Sequence, residues 1–590
     1  MHSPNLEPQR SSYFKYQVHP FRRPPEMDGA GTTHPVVIVG AGPIGMVHAL
    51  DLCRQGVKPV LIEAEAQVCG GSRALVLTRR SMEIIEQVGV ADAFLAGALP
   101  WDKGRSFYRG HVVHELKIPG SVDDRFAPMT SQPQNIMEQR LVDAALRAGV
   151  DIRWQTRVTG LEAREDGVTL GLDTPEGAYE LRCDWLVASD GARSTIRQLQ
   201  GLRYEGRSYA GRFVIIDFNI ELDAKIARRC YFDPPWLPDL SGLCQKSPYG
   251  VWRLDYQVPD DISDEEALDD QRLRSHVQAH LDYIGVDLPW EIEWATLYKP
   301  NTLSLARYNH GRVLYCGDAA HLLPVFGVRG MNTGLQDANN LAWKLAGVVK
   351  GYAAPAILDS YSDERVADAM QICFNAARST RLMAPPTRGY RVMRDAILQL
   401  SVSQDFTRPL LHWRTSAPID YIQSPLTTVI DRDAGFADGP RPGAPARNIC
   451  LDPSAADKRW LFDAFAPGFQ VIVFDAEAAH LEAISADVTT LRAREVPIRI
   501  ISVNRDDRRH PGADVCLCDP LGRVHAGWAA APGTVYVLRP DEHVAARWHA
   551  GSGPGVLAAV QRALAKAPAT TAAAATAATT AQAGAIAVPA

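Results

Sequence analysis

Ten residues near the start of the chain, VVIVGAGPIG (Val36 to Gly45), constrain its fold more than any other stretch. Val36 to Val39 reads as a buried strand, and Met46 to Gln55 reads as a helix that Gly56 stops. Between them stand Gly40, Gly42 and Gly45 in G-x-G-x-x-G spacing, with Pro43 and Ile44 inside the motif. Gly40 permits a tight turn, Gly42 lets backbone amides approach a pyrophosphate, and Gly45 lets the helix pack closely on the sheet. The helix N-terminal dipole then faces the phosphates. A second strand, Pro59 to Ile62, ends at Glu63, where an acid accepts hydrogen bonds from a ribose 2′-hydroxyl. The pattern predicts an α/β chain with a Rossmann-type domain, and by itself it does not choose between NAD and FAD.

Two later segments make that choice. In ASDGARSTIR, Asp190 and Gly191 follow a buried strand, with Ser194 and Arg197 behind them. In YCGDAAHLLPVFGVRGMNTGLQDANNLAWKL, Gly317 and Asp318 follow another strand. A carboxylate leaving a buried strand is costly unless hydrogen-bonded, and Asp318 is well placed to hold ribityl hydroxyls. The alternative for either aspartate is a helix N-cap. Gly327 and Gly330 precede Met331 and Asn332, and a long helix is expected from about Thr333. Amides at that helix start can point at flavin N1 and C2=O, and the helix dipole stabilises the charge of a reduced flavin.

Taken together, the three segments resemble the class A flavoprotein aromatic monooxygenases, the family of para-hydroxybenzoate hydroxylase, phenol hydroxylase and 3-(3-hydroxyphenyl)propionate hydroxylase. The resemblance covers about residues 35 to 400 and includes GSRALVLTRRSMEIIEQVGV, with Arg73, and QNIMEQRL, which starts at Gln134. It implies FAD held by Gly40, Gly42, Pro43, Ile44, Gly45, Glu63, Arg73, Gln134, Val158, Asp190, Asp318, Gly330, Met331 and Asn332. It also implies NADH or NADPH as a transient co-substrate, with Asp190 and Arg197 near hydride delivery. In that family O2 adds to reduced flavin as a C4a-hydroperoxide, which hydroxylates a phenolic or aromatic-acid ring ortho or para to a hydroxyl.

Residues 206 to 300 change character. Alternating segments such as RFVIIDFNIEL and YGVWRLDYQV predict an antiparallel substrate sheet inserted in the FAD domain, whose parts span 35–205 and 301–435. In VWRLDYQ, Arg253, Asp255 and Gln257 share one face, and Trp252, Leu254 and Tyr256 share the other. The resemblance turns the Arg253 face to substrate and makes Arg253, Asp255 and Tyr256 the catalytic candidates. The plainer reading is a surface Arg–Asp pair, with Tyr256 in the core. Phenol hydroxylase's active-site tyrosine falls at Asp255, and its catalytic aspartate falls near Leu75, so its base does not carry over directly. Beside the flavin, Val325 and Phe326 make an apolar wall. Arg329 is either an anchor for an anion or a solvent-facing charge, and His321 reads as a loop brace.

The flanks add less. Residues 1–34 are polar and proline-bearing and read as an arm. DGPRPGAPARN marks a boundary, and 436–565 resembles the C-terminal thioredoxin-like domain of the phenol hydroxylase branch. Without C-x-x-C that domain is expected to be redox-inactive. The Ala/Thr-rich stretch 566–590 reads as a disordered tail. A net charge of −6 with scattered Lys and Arg excludes a nucleic-acid field. No apolar run of membrane-spanning length or secretory core appears, and the ten cysteines do not form a zinc or disulfide framework. A cytoplasmic enzyme with a small aromatic substrate, no metal and no membrane partner is the expectation. Relatives with the third domain are often dimers, so a homodimer is one reading of assembly. The rival readings are a Baeyer–Villiger or epoxidising flavin monooxygenase acting on a polyketide-like ring, and a non-catalytic flavin-binding scaffold.

Overall fold

The β-branched run at Val36 builds the middle of an eight-stranded sheet. In the computed structural model, which describes residues 1–29, 31–209, 211–223, 227–411, 419–430, 436 and 438–566, the strand Thr33–Val39 pairs in parallel with Gly177–Ala188 on one side and Val60–Ile62 on the other. Asp151–Arg153 extends the parallel run beyond Val60–Ile62, and Val313–Tyr315 extends it beyond Gly177–Ala188. Val36, Val37 and Ile38 are fully buried, each burial contributing roughly 1.5–3 kcal/mol. The parallel strands therefore end together, and the loops that leave them converge. Those loops carry Gly40, Glu63, Asp190 and Asp318.

The inserted sheet has seven strands in the order Trp290–Tyr298, Arg212–Ile220, Val251–Val258, Ser241–Lys246, Arg228–Phe232, Lys103–Tyr108 and His111–Lys117. The last two come from outside the 206–300 segment expected from sequence. Their KGRSFY and HVVHELK segments are short, and only pairing with the distant Arg228–Phe232 makes them part of this sheet. One face of the sheet is a hydrophobic core that includes Val214, Trp252, Leu254 and Tyr256.

Two compact units make up the chain. One holds residues 1–349, 361–419 and 448–460; the other holds 350–360, 420–447 and the residues from 461 onward. The second unit thus takes in 350–360 and 420–435 besides the expected stretch from 436, and leaves 448–460 to the first unit. Its sheet has the order Val515–Cys518, Ile498–Asn504, Phe469–Phe474, Val535–Leu538, Val544–Trp548, with the first three strands parallel and the last two antiparallel. The Ala/Thr-rich tail lies, but for Lys566, outside the described residues. Among the described residues, no helix is long and apolar enough to cross a membrane.

Within the first unit the start of the long helix Gly330–Val349 is fastened to the Asp318 loop by the buried carboxylate of Asp337. Asp337 is fully buried and accepts hydrogen bonds from the Gly317 amide (3.1 Å), His321 Nε2 (2.6 Å) and Arg365 Nε (2.7 Å). Burial pushes its carboxyl up, but the nearby His321 and Arg365 outweigh burial and hold it below the ordinary value. His321 is therefore the brace its sequence context suggests. Removing one partner of such a group leaves uncompensated buried charge. Asp337→Ala is expected to cost about 3–5 kcal/mol, read as a lower urea midpoint of the apoprotein; an unchanged midpoint would remove the network from the fold's supports.

Candidate active site

All three glycine and aspartate segments open on one cavity of about 1230 Å³, whose lining includes both Glu63 and Asp255. The cradle glycines differ in what limits them. A Cβ on Gly45 would lie 2.0 Å from the Gly40 carbonyl oxygen, and one on Gly40 would lie 2.5 Å from that of Ser189. Gly40 also has φ 104°, a conformation that side chains resist. A Cβ on Gly42, by contrast, meets nothing within 4 Å and points into open cavity. Gly42 caps the helix Pro43–Arg54 without any side-chain hydrogen bond, so the first amides of that helix remain available to an anion. Gly40 and Gly45 are thus kept small by the protein, while the room at Gly42 is open to a ligand.

The remaining expected cofactor residues line the same cavity. Glu63 accepts hydrogen bonds from the Ala41 amide (2.8 Å) and the Glu65 amide (2.9 Å), which fix its carboxylate beside the cradle. Ile44 packs against the third segment at two points: a Cβ on Gly317 or Gly334 would come within 3.0 or 2.8 Å of it. Val158 contributes an apolar wall from the strand Arg157–Ala163. Gln134 is used up at both ends, accepting from the Ala74 amide (2.9 Å) and donating to Glu138 (2.8 Å). Arg73 extends into the cavity and makes no side-chain hydrogen bond among the described residues.

Asp190 is not the cap of the short helix Thr195–Leu199; Ser194 is, accepting from the Arg197 amide (3.0 Å). Asp190 Oδ2 accepts from the Ile196 amide (3.2 Å), while its Oδ1 is buried without a partner. Arg197 does not reach the cavity. It donates to Tyr204 Oη (2.5 Å) and the Ala192 carbonyl (2.8 Å), and Tyr204 donates to the Asp318 carbonyl. The pair holds the Asp190 loop against the Asp318 loop. The Asp318 carboxylate makes no hydrogen bond among the described residues; it is open to the cavity yet enclosed by protein, and that desolvation raises its pKa against the pull of His321 and Arg73.

Across the cavity the long helix begins at Gly330, three residues before the expected Thr333, because Thr333 N already donates to the Arg329 carbonyl (2.9 Å). The amides of Gly330, Met331 and Asn332 therefore have no intrahelical partner. The Asn332 side chain is a structural tie, accepting from Thr78 N (2.8 Å) and Ser81 Oγ (2.6 Å) and donating to the Val76 carbonyl (2.9 Å). Arg329 is not solvent-facing: it is 3% exposed and donates to the Phe326 and Ile372 carbonyls. Burial lowers its pKa to about 10.

The sheet candidates part company. Arg253 lines the cavity, but Asp217 grips it with both oxygens (2.7 and 2.8 Å), and it also donates to the Ser72 and Arg73 carbonyls. It is a tie between the sheet and the Arg73 segment. Asp255 lines the cavity with no hydrogen bond to its carboxyl among the described residues and with Oδ1 buried. Burial pushes its pKa up to about 7, against the pull of Arg253. Tyr256 does not line the cavity; it points into the core on the other face and stacks on His276 at 4.3 Å. Strand alternation puts it opposite Asp255, so the two cannot serve one pocket.

Sequence reading missed two contributors. The amino-terminal arm is tied down along the cavity, where Asn5 and Gln9 form part of the wall. Tyr16 Oη accepts from the Gly71 amide (3.1 Å), Gln67 donates to the Glu7 carbonyl (3.0 Å), and Ser12 donates to Glu293 (2.7 Å). Its polar, proline-bearing composition gave no periodic signal, because these contacts are single long-range bonds. Arg228 and Gln245, on neighbouring strands, also line the cavity.

Comparison with known proteins agrees with this geometry. The family described as "FAD binding domain" matches residues 33–376, more than half of the chain. The 3-(3-hydroxy-phenyl)propionate/3-hydroxycinnamic acid hydroxylase of Mycolicibacterium smegmatis is 29% identical over 543 residues, covering 86% of this chain and 90% of that protein. The 12-dehydrotetracycline 5-monooxygenase/anhydrotetracycline 6-monooxygenase of Streptomyces rimosus is 32% identical over 386 residues, covering 62% and 73%. Among solved structures, the flavin-dependent monooxygenase PieE in complex with FAD and substrate superposes with a TM-score of 0.74 at 23% identity, over 91% of this chain and 100% of that one. That likeness speaks for the fold. The chain belongs to the FAD-dependent aromatic monooxygenases of the FAD-binding-domain family, and it is an enzyme whose cofactor is FAD.

The glycine geometry separates folding from cofactor retention. Gly42→Asp is expected to fold and purify colourless, since the added Cβ meets no protein atom within 4 Å and its carboxylate brings negative charge into the space proposed for phosphate. Gly45→Ala is expected to lower the melting temperature even without flavin. A fully yellow Gly42→Asp protein would contradict this account of the cradle.

Proposed function

We propose that the chain is a single-component, NAD(P)H- and O2-dependent hydroxylase of a phenolic or aromatic-acid substrate, acting ortho or para to a ring hydroxyl. The observation that carries this reading is the single cavity that runs from the glycine cradle to the Asp255 face of the sheet. Bound FAD supplies the redox chemistry, taking electrons from a nicotinamide and activating O2.

The protein's part is placement, exclusion of water and handling of one proton. The amides after Gly42 take the pyrophosphate, Glu63 the ribose hydroxyls and Asp318 the ribityl chain. Arg73, Gln134, Val158 and Asp190 complete that wall. The amides of Gly330, Met331 and Asn332, at the positive end of a helix 20 residues long, favour negative charge beside them. Val325 and Phe326 keep the reacting end dry. Asp255 takes the proton of the substrate's ring hydroxyl, since its pKa of about 7 suits a general base at neutral pH. Arg253, held by Asp217, keeps the sheet seated against the Arg73 segment. The parallel-then-antiparallel strand order of the second unit supports a thioredoxin-like reading of that domain; its Cys516 and Cys518 are spaced C-x-C.

Purified enzyme is expected to oxidise NADH or NADPH faster when a phenol is added, with matching O2 uptake. Indifference to every phenol in a broad panel would overturn the proposal. Asp255→Asn is expected to slow hydroxylation on the order of 10²-fold while leaving flavin content intact. Asp255 works only when ionised, so wild-type hydroxylation should rise with pH through about 7. The same limb should vanish in the variant; a limb that persists would assign it to another group.

A further inference from the structure

Of the cations that the inserted sheet brings to the cavity lining, Arg228 has no carboxylate bound to it among the described residues. Arg253 is neutralised by the two oxygens of Asp217. Arg228 makes one side-chain hydrogen bond among the described residues, donating to Gln245 Oε1 at 2.6 Å. Among the described residues, the ionisable groups that act on it are Asp255, with which it forms no ion pair, and the Cys230 thiol, pushed up to about 12 by burial and so neutral. Burial accordingly lowers the Arg228 pKa. Arg228 is partly buried and lines the cavity, and a partly desolvated guanidinium with one neutral acceptor is stabilised when something anionic joins it.

Gln245 carries the complementary gap. Arg228 can only donate, so Gln245 must present its oxygen there. Its Nε2 is left buried with no partner, and the residue is 3% exposed. Asp255 Oδ1 is the matching orphan acceptor. The strand register explains why these groups meet. Arg228 lies opposite Gln245, and Leu243 lies opposite Asp255, so Gln245 and Asp255 are diagonal neighbours on one face. The positions of such neighbours are separated by roughly 7–8 Å, close enough for both side chains to reach one ligand in the cavity that they both line. Ile215 and Leu243 make the floor apolar.

We infer that Arg228 and Gln245 form a seat for the substrate's ring oxygen as phenolate, with Asp255 as the acceptor of its proton. This rests on the hydroxylase reading above and adds the two residues that decide ionisation and substrate class. The step balances simply: the phenol O–H bond breaks, a new O–H bond forms on the Asp255 carboxylate, and the negative charge moves to the ring oxygen. Arg228 and the Gln245 amide then donate to that oxygen. The same arrangement disfavours aryl ethers, which have no proton to give and leave Arg228 without a counter-charge. The groups facing the seat are Asp255 and Arg253 from one strand, Asp217 from the next, and Arg228 and Cys230 from a third.

The test uses holoenzyme and 4-nitrophenol, whose colour reports its own ionisation, read as a difference spectrum against the flavin. Bound to wild type, the probe should be ionised at a pH where it is mostly neutral in solution. Arg228→Met should raise the bound probe's apparent pKa by about one unit or more, a shift of roughly 1.4 kcal/mol. Arg228→Lys should restore much of the difference, and Gln245→Leu should shift it in the same direction by less. A probe that keeps its solution pKa on wild type, or an Arg228→Met protein with wild-type ionisation, would overturn the seat. If Arg228→Met does not fold, the wild-type and Gln245→Leu spectra decide. Wild type that consumes NAD(P)H faster with phenols yet binds the probe neutral overturns the seat alone; wild type indifferent to all phenols and to the probe overturns both readings.

Discussion

Asp337 is a carboxylate with no access to water, and the arrangement of the site depends on what surrounds it. Its three donors come from the Gly317 amide, from His321 and from Arg365. One group thereby sets the loop that carries Asp318, the turn that follows it and the helix whose first amides face the cavity. A buried charge tolerates little displacement of its partners, because a lost hydrogen bond cannot be replaced by water. That intolerance fixes the distance between Asp318 and Gly330 more firmly than apolar packing would.

Close backbone approach does the same for the cradle. Gly45 lies against the Gly40 carbonyl, Gly40 against Ser189, and Ile44 against Gly317 and Gly334. The three cofactor segments are in van der Waals register with one another, not merely in proximity. Arg197 and Tyr204 add polar bonds between the second and third. The result is a rigid nucleotide end and, across the same cavity, a sheet face whose polar groups are left partly unsatisfied. The nucleotide end has its backbone fixed by protein, yet both ends leave polar groups for a ligand, Asp190 Oδ1 at the first and Gln245 Nε2 and Asp255 Oδ1 at the second.

Much of this was legible in the sequence where the signal is local. Gly40, Gly42 and Gly45 sit where their spacing places them, and the alternation in VWRLDYQ correctly sets Asp255 and Tyr256 on opposite faces. Other features depend on partners far away in the chain. Lys103–Tyr108 joins the inserted sheet only through Arg228–Phe232. The loop charge Arg329 is buried because the carbonyls of Phe326 and Ile372 receive it. The arm at residues 1–28 is ordered by isolated bonds to Gln67, Gly71 and Glu293, which leave no periodic trace. Arg228 and Gln245 were invisible for a related reason: only the strand register brings them beside Asp255.

The central claim is that one cavity brings reduced flavin, O2 and an ionised aromatic ring together with water excluded. Its most direct test is isotopic. Turnover of an accepted phenol under ¹⁸O2 in ordinary water should give a product heavier by a single labelled oxygen on the ring. Unlabelled product, or hydrogen peroxide as the sole fate of the consumed O2, would contradict the account.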